Sequence, residues 1–320
     1  MGIFDFFSRK KKQETGQPAS LTKSPRDDYD EDDDWDDEED KNELPYDPDY
    51  LMEKVEVIPG LAMPRAFADH WPALSQTRKE TISITATPSE NLRIEESTFG
   101  HYPRIPVGFD YPKDSDGQFM YPLAQLNMRE LPPMHGYPRT GYLQFYIAAN
   151  DTYGLNFGEK PDDFKVVFFE EQEVEEFVTD FTFLHQTMIN NESPVNKPLS
   201  LRFALEEEYI GMGTVETKAI CGISMESIAA EYDNDLESDL MQFAFDNFCC
   251  EGHKIGGFAY FTQTDPREYR EAFRDYVLLL QIDSDKNIMW GDVGVGNFFI
   301  HPDDLAKKDF SKVMYNWDCS

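Results

Sequence analysis

Hydrophobic and polar positions alternate along Thr81-Ile82-Ser83-Ile84-Thr85-Ala86-Thr87, a β-branched run closed by Pro88, and this two-residue period predicts a strand. Runs rich in aromatic and branched residues predict further strands at Phe164 to Phe169, Leu199 to Leu205, Tyr276 to Ile282, Val295 to Ile300 and Lys312 to Trp317. A helical period is rarer. From Asp235 to Cys249, Leu236, Leu240, Phe243 and Phe248 fall in one broad stripe, and Gly252 follows near the expected stop. Met225 to Tyr232 predicts a shorter helix, and so does Pro302-Asp303-Asp304-Leu305, where proline suits a first turn. Pro45 to Trp71 is broken by prolines and reads as one or two short helices with loops. The pattern as a whole predicts a strand-dominated α+β fold.

One spacing occurs twice. Phe99-Gly100 leads to Gln125-Leu126-Asn127, Ile255-Gly256 leads to Gln281-Ile282-Asp283, and 25 positions separate glycine from glutamine each time. Gly141-Tyr142-Leu143-Gln144-Phe145-Tyr146-Ile147 then pairs with Gly294-Val295-Gly296-Asn297-Phe298-Phe299-Ile300, the second connection being three residues shorter. The pattern predicts an internal duplication, with β-rich units at about 80–170 and 250–320 inside a pseudo-symmetric domain spanning 46–320. Two copies of this length do not make a solenoid.

Composition narrows the functional classes. The chain has 320 residues, is 40% hydrophobic and 14% aromatic, and carries a formal charge of −33, which opposes binding to nucleic acid and to anionic lipid. Residues 1–45 differ in kind. Twelve of the fourteen residues from Asp27 to Asp40 are acidic, a block whose self-repulsion predicts a disordered tail or linker. Ahead of it, residues 3–12 place Ile3, Phe4, Phe6 and Phe7 beside Arg9 to Lys12, a segment able to make peripheral membrane contact, while Phe6 stands where a myristoylation signal needs Ser or Thr. The remainder still holds 22 basic against 47 acidic residues, so a basic protein is the favoured charged partner. Four cysteines, no secretory leader and no apolar run of about 18 residues predict a reduced, cytoplasmic protein without a transmembrane segment.

The repeated strands carry the candidate site. Alternation places Leu123, Gln125 and Asn127 on one face and Leu279, Gln281 and Asp283 on the equivalent one. Gln125, Asn127, Gln281, Asp283 and Asp292 are therefore candidate ligand contacts in a cleft between the repeats. The alternative is that the two glutamines are buried amides satisfying loop backbone. Asp283, Asp285 and Asn287 have the first, third and fifth positions of a calcium loop, but Ile288 and Gly294 stand where its glycine and closing glutamate belong, so a polar hairpin turn competes with a metal site. Cys250 and His253 are spaced for a thiol–imidazole pair, with no third member evident. No motif implies catalysis, and no cofactor is expected.

Phe99-Gly100, Leu123 to Pro132, Gly141 to Tyr146, His253 to Gly257, Leu279 to Asp285, Trp290 to Ile300 and Asp309 to Cys319 together resemble the YwqG family, a bacterial family of unknown function. His101 departs from it, standing where the family usually has a second glycine. The resemblance implies a cytosolic α+β protein without known catalytic residues and, through the toxin neighbourhoods of some members, an immunity or accessory role. Two functions are thus expected: a non-catalytic binding or immunity-type protein, or else a small-ligand binder or enzyme using the cleft.

Overall fold

The computed structural model describes residues 44–156, 161, 163–189 and 192–320; the predicted features at 3–12 and 27–40 lie outside the described residues. Twelve strands occur among those described: β1 (Lys54–Ile58), β2 (Leu61–Pro64), β3 (Lys79–Pro88), β4 (Thr98–Phe99), β5 (Tyr121–Asn127), β6 (Tyr142–Ile147), β7 (Phe164–Phe169), β8 (Leu199–Glu208), β9 (Lys254–Gly256), β10 (Val277–Asp283), β11 (Val295–Ile300) and β12 (Met314–Asp318). The α-helices are α1 (Pro48–Met52), α2 (Arg65–Ala68), α3 (Trp71–Leu74), α4 (His185–Ile189), α5 (Val215–Cys221), α6 (Met225–Ala229), α7 (Asn234–Phe248) and α8 (Pro302–Ala306). The strand-dominated α+β class holds, and Tyr46–Ser320 packs as one compact unit.

Ten strands form one antiparallel sheet in the order β12-β11-β10-β9-β3-β8-β4-β5-β6-β7. The chain does not pair neighbours in sequence at its centre. β3 lies between β9 and β8, while β4, the next strand along the chain, pairs with β8 and β5. β3 and β8 pair over their whole length, from Lys79 opposite Glu208 to Pro88 opposite Leu199. A register shift interrupts β5–β6 between Pro122 and Ala124, and another interrupts β10–β11 between Leu278 and Leu280.

β5, β6, β10 and β11 are buried on both faces, which is why their sequences are nearly continuous apolar runs. One face encloses the main core. Phe145 of β6 meets Phe298 of β11 with ring centroids 4.9 Å apart, and Phe164 of β7 meets Tyr315 of β12 at 5.3 Å. The sheet therefore curls until its two edge strands face each other, with Phe99, Leu123, Leu279, Leu280 and Trp290 also inside. Separately from that core, helices α2, α6 and α7 bury Phe67, Ile228, Leu236 and Leu240 in a cluster of their own, joined by Ile210 just beyond β8. The outer face has two covers. Ile105, Tyr111, Tyr146 and Phe169 cluster over β6 and β7, and Ala259, Leu278, Phe299 and Met314 over β10 to β12.

Two readings of the sequence need correction. Pro45 to Trp71 contains the hairpin β1–β2 as well as short helices; its turn falls at Gly60, where φ is +85° and a glycine avoids the Cβ strain of the left-handed region. β8 extends beyond Leu205 through Glu206–Glu208, because continuous pairing with Thr81, Glu80 and Lys79 outweighs the low strand propensity of glutamate. The departure at His101 is also accounted for. Gly100 and Gly256 share φ of +64° and +69°, but the backbones then diverge, Gly257 at +70° and His101 outside the left-handed region.

Candidate functional site: two buried glutamines and the segments they hold

Gln125 of β5 is 2% exposed and Gln281 of β10 is 0% exposed, so each amide must find its partners inside the fold. Gln281 Oε1 accepts from the Tyr260 N–H (2.7 Å), and its Nε2 donates to the carbonyls of Cys250 (3.0 Å) and Gly252 (2.7 Å). Gln125 Oε1 accepts from the Arg104 N–H (2.6 Å), and its Nε2 donates to the carbonyls of Ile94 and Glu96, both at 2.9 Å. The separations along the chain agree bond for bond, at 21, 31 and 29 residues in both sets.

The next shell follows suit. The N–H of Asn127 donates to Ser97 Oγ and that of Asp283 to His253 Nδ1, each partner 30 residues upstream, at 2.9 Å. On the neighbouring strands, Gln144 Nε2 donates to the Arg104 carbonyl (2.7 Å) and Asn297 Nδ2 to the Tyr260 carbonyl (2.8 Å). The longer Gln144 also reaches Gln125 Oε1 at 2.9 Å and accepts from the Tyr146 hydroxyl. Phe299 stands two residues beyond Asn297, where it has no hydroxyl to offer, and Asn297 Oδ1 is buried without a partner.

The candidate ligand contacts are thus turned toward backbone. Asn127 donates to the Glu95 carbonyl at 2.8 Å. Asp283, 9% exposed, accepts from Gly252 N through Oδ2 and from Ser284 N through Oδ1, both at 2.7 Å. Burial pushes the Asp283 carboxyl up, with those N–H bonds opposing it. Asp292 stands apart and exposed in the turn between β10 and β11. The structure brings Gln281 and Asp283 onto one strand face, Gln125 and Asn127 onto another, and leaves Asp292 with neither.

The metal-like string is a turn in this structure. Asp285 Oδ1 accepts from the N–H groups of Asn287 (2.6 Å) and Ile288 (2.8 Å), while Asn287 Nδ2 is buried without a partner. Among the described residues no three of His, Cys, Asp or Glu group so as to hold a metal ion. The thiol–imidazole pair has the wrong chemistry for attack. Burial pushes the Cys250 thiol up to about 12, and its sulfur points at the carbonyls of Phe248 (3.4 Å) and Ile210 (3.8 Å). His253 has its Nδ1 lone pair occupied by the Asp283 N–H, which leaves its proton on Nε2, 3.6 Å from Asp285 Oδ2; burial lowers its pKa.

Sequence reasoning missed an ionic cluster. Arg267 and Asp265, both 0% exposed, pair at 2.7 Å, and Arg267 also reaches Glu216 at 3.0 Å, whose other partner is Lys79 at 2.9 Å. Its guanidinium lies 4.6 Å from the Phe299 ring centroid. The only sequence signal is an Asp-Pro-Arg turn with Asp265 capping Arg267 N, which by itself does not announce a buried ion pair. Arg104, Tyr260, Ser97 and His253 were within reach, because extending the repeat upstream from the glutamines aligns them.

These features define a class: an acidic, strand-dominated α+β domain in which polar side chains on the sheet hold crossing segments by their backbone. A family model described as Domain of unknown function (DUF1963) matches residues 97–319, and the chain belongs to that family. No curated protein matches it.

Proposed function

We propose that the protein is a cytoplasmic, non-catalytic binding protein of the YwqG group, an immunity-type or accessory factor whose acidic surface meets a basic protein. The observation that carries this reading is charge. From residue 46 on, 47 acidic residues face 22 basic ones, and the acidic run Asp27 to Asp40 adds to them. The saturation of Gln125 and Gln281 by backbone speaks in the same direction, since it leaves their amides to hold structure. The agreement of the two hydrogen-bond sets supports an internal duplication as the origin of the fold. The test is affinity capture by the full chain, by a chain lacking residues 1–45 and by one with reversed surface acids, at low and at high salt. Binding that weakens with salt and with each charge change is expected. A partner held equally by all three chains refutes the electrostatic reading.

A further inference from the structure

Arg104 and Tyr260 occupy matching frames. Each gives its N–H to a buried glutamine 21 residues on, and each offers its carbonyl to the amide of the adjoining strand. Their side chains therefore leave the backbone at corresponding places. Glu95 and Glu251 correspond as well, each lying between the two carbonyls that bind the glutamine amide. At the first place, the Arg104 guanidinium donates to Glu95 Oε1 at 3.0 Å and to the Val174 carbonyl at 3.1 Å, and it stacks 4.0 Å from the Phe177 ring centroid. Carboxylate, cation and ring are all supplied in cis.

The second place keeps the carboxylate and has no guanidinium. Tyr260 replaces the arginine, Glu251 remains, and Asp283 replaces Asn127, so one cation is lost and one acid gained. Asp283 and Asp318 both pair with Val295, from opposite sides, and so lie on one sheet face two strands apart, about 10 Å by strand spacing. Asp318 is 9% exposed. Its Oδ1 accepts from Thr262 N (3.1 Å) and Thr262 Oγ1 (2.8 Å), while Oδ2 is buried with no partner. The Gln263 N–H also acts on this carboxylate, and burial outweighs the bonds it receives and pushes its pKa up. Burial first, then Glu251, Asp283, Cys249 and Asp318, pushes the Tyr260 hydroxyl up to about 12. The lysine acting on Asp283, Lys254, is held by Glu208 at 2.6 Å.

We propose that Glu251, Asp283, Asp318 and the Tyr260 ring form a socket for an arginine side chain of the basic partner, filling from outside the place that Arg104 fills from within. This rests on the proposed function and names the contact it uses. A guanidinium suits the site because its planar fork serves several carboxylates at once and stacks on an aromatic ring. A metal ion suits it less, since no metal-holding group of three occurs among the described residues.

The test is calorimetric titration of the full chain with acetyl-Gly-Arg-Gly-amide, against the same peptide carrying citrulline or lysine. The arginine peptide should bind at least about tenfold more tightly than the citrulline peptide, the size expected for hydrogen bonds to a charged group. Tyr260→Arg should fill the socket in cis and abolish the response. Asp283→Asn, which installs the residue found at position 127, should weaken it, and so should Glu251→Gln at an exposed position, which keeps the test open if Tyr260→Arg fails to fold. Equal binding of arginine and citrulline peptides, or an unchanged response in both Tyr260→Arg and Glu251→Gln, overturns the socket. If the socket fails while capture of a basic partner stays salt-dependent, the proposed function stands; if that capture is also insensitive to salt, both fall.

Discussion

Gln281→Ala is the sharpest test of how the sheet holds its crossing segments. The substitution removes one acceptor and two donors at a site with no exposure, stranding the N–H of Tyr260 and the carbonyls of Cys250 and Gly252. An unsatisfied buried backbone group costs roughly 1–3 kcal/mol. The Gly252 carbonyl belongs to an exposed residue and recovers a partner from water, so the full cost falls mainly on Tyr260 N–H and Cys250. With the truncated side chain's lost packing, a destabilisation of about 3–4 kcal/mol is expected, a large share of the roughly 5–15 kcal/mol available to a domain. Urea unfolding should show a lower midpoint with an unchanged slope, and hydrogen exchange should show the Tyr260 amide losing protection while the β5–β6 amides keep theirs. Gln281→Met, which restores volume without hydrogen bonds, should recover only the packing part. A loss below about 1 kcal/mol with the Tyr260 amide still protected would refute the reasoning, because it would mean that the segment is held by something other than the amide.

Other outcomes follow from the same geometry. Arg267→Met should cost about 3–5 kcal/mol by stranding the fully buried Asp265 carboxylate, whereas Arg129→Ala, which breaks a solvent-exposed pair with Glu171, should leave the urea midpoint nearly unchanged; parallel urea titrations compare them. His253 has a folded pKa below its ordinary 6.5, so the unfolded chain binds the proton first and stability falls as pH drops through 6.5 toward the folded value. His253→Ser, the residue at the matching position 97, should flatten that decline in melting temperature. Asp283 shifts the other way: its raised pKa means that stability falls as pH rises from the ordinary carboxylate value to the folded one, so Asp283→Asn should remove that slope from the melting temperature measured against pH, while lowering stability at every pH because the amide accepts only one of the Gly252 and Ser284 N–H bonds. Gly257→Ala should destabilise strongly, since φ is +70° and a Cβ would lie 2.2 Å from Glu208 Oε2 and 2.9 Å from Thr81.

Much of the strand inventory was legible because period and propensity agreed. Phe164–Phe169 and Val295–Ile300 begin and end as the aromatic and branched runs do, and α7 spans the stripe from Leu236 to Phe248. The hairpin β1–β2 was hidden by prolines on either side of a short run whose pairing is local but weakly patterned. The sheet order was beyond reach, since nothing in the sequence of β3 says that it seeks β8 and β9 rather than β4. At the site, alternation correctly placed Gln125 with Asn127 and Gln281 with Asp283 on shared faces. It gave no means of telling whether those faces met water or a crossing segment, because their partners are main-chain groups 21–31 residues away, which carry no side-chain signature.

The exchanged central strands also set a schedule for synthesis. Both neighbours of Lys79–Pro88 lie downstream, at Leu199–Glu208 and Lys254–Gly256, so this segment emerges from the ribosome with neither edge paired. At about 5–20 residues per second, the wait for the first partner is on the order of ten seconds. During that interval the side chains of Ile82 and Ile84, buried in the finished fold, have none of the sheet neighbours that cover them.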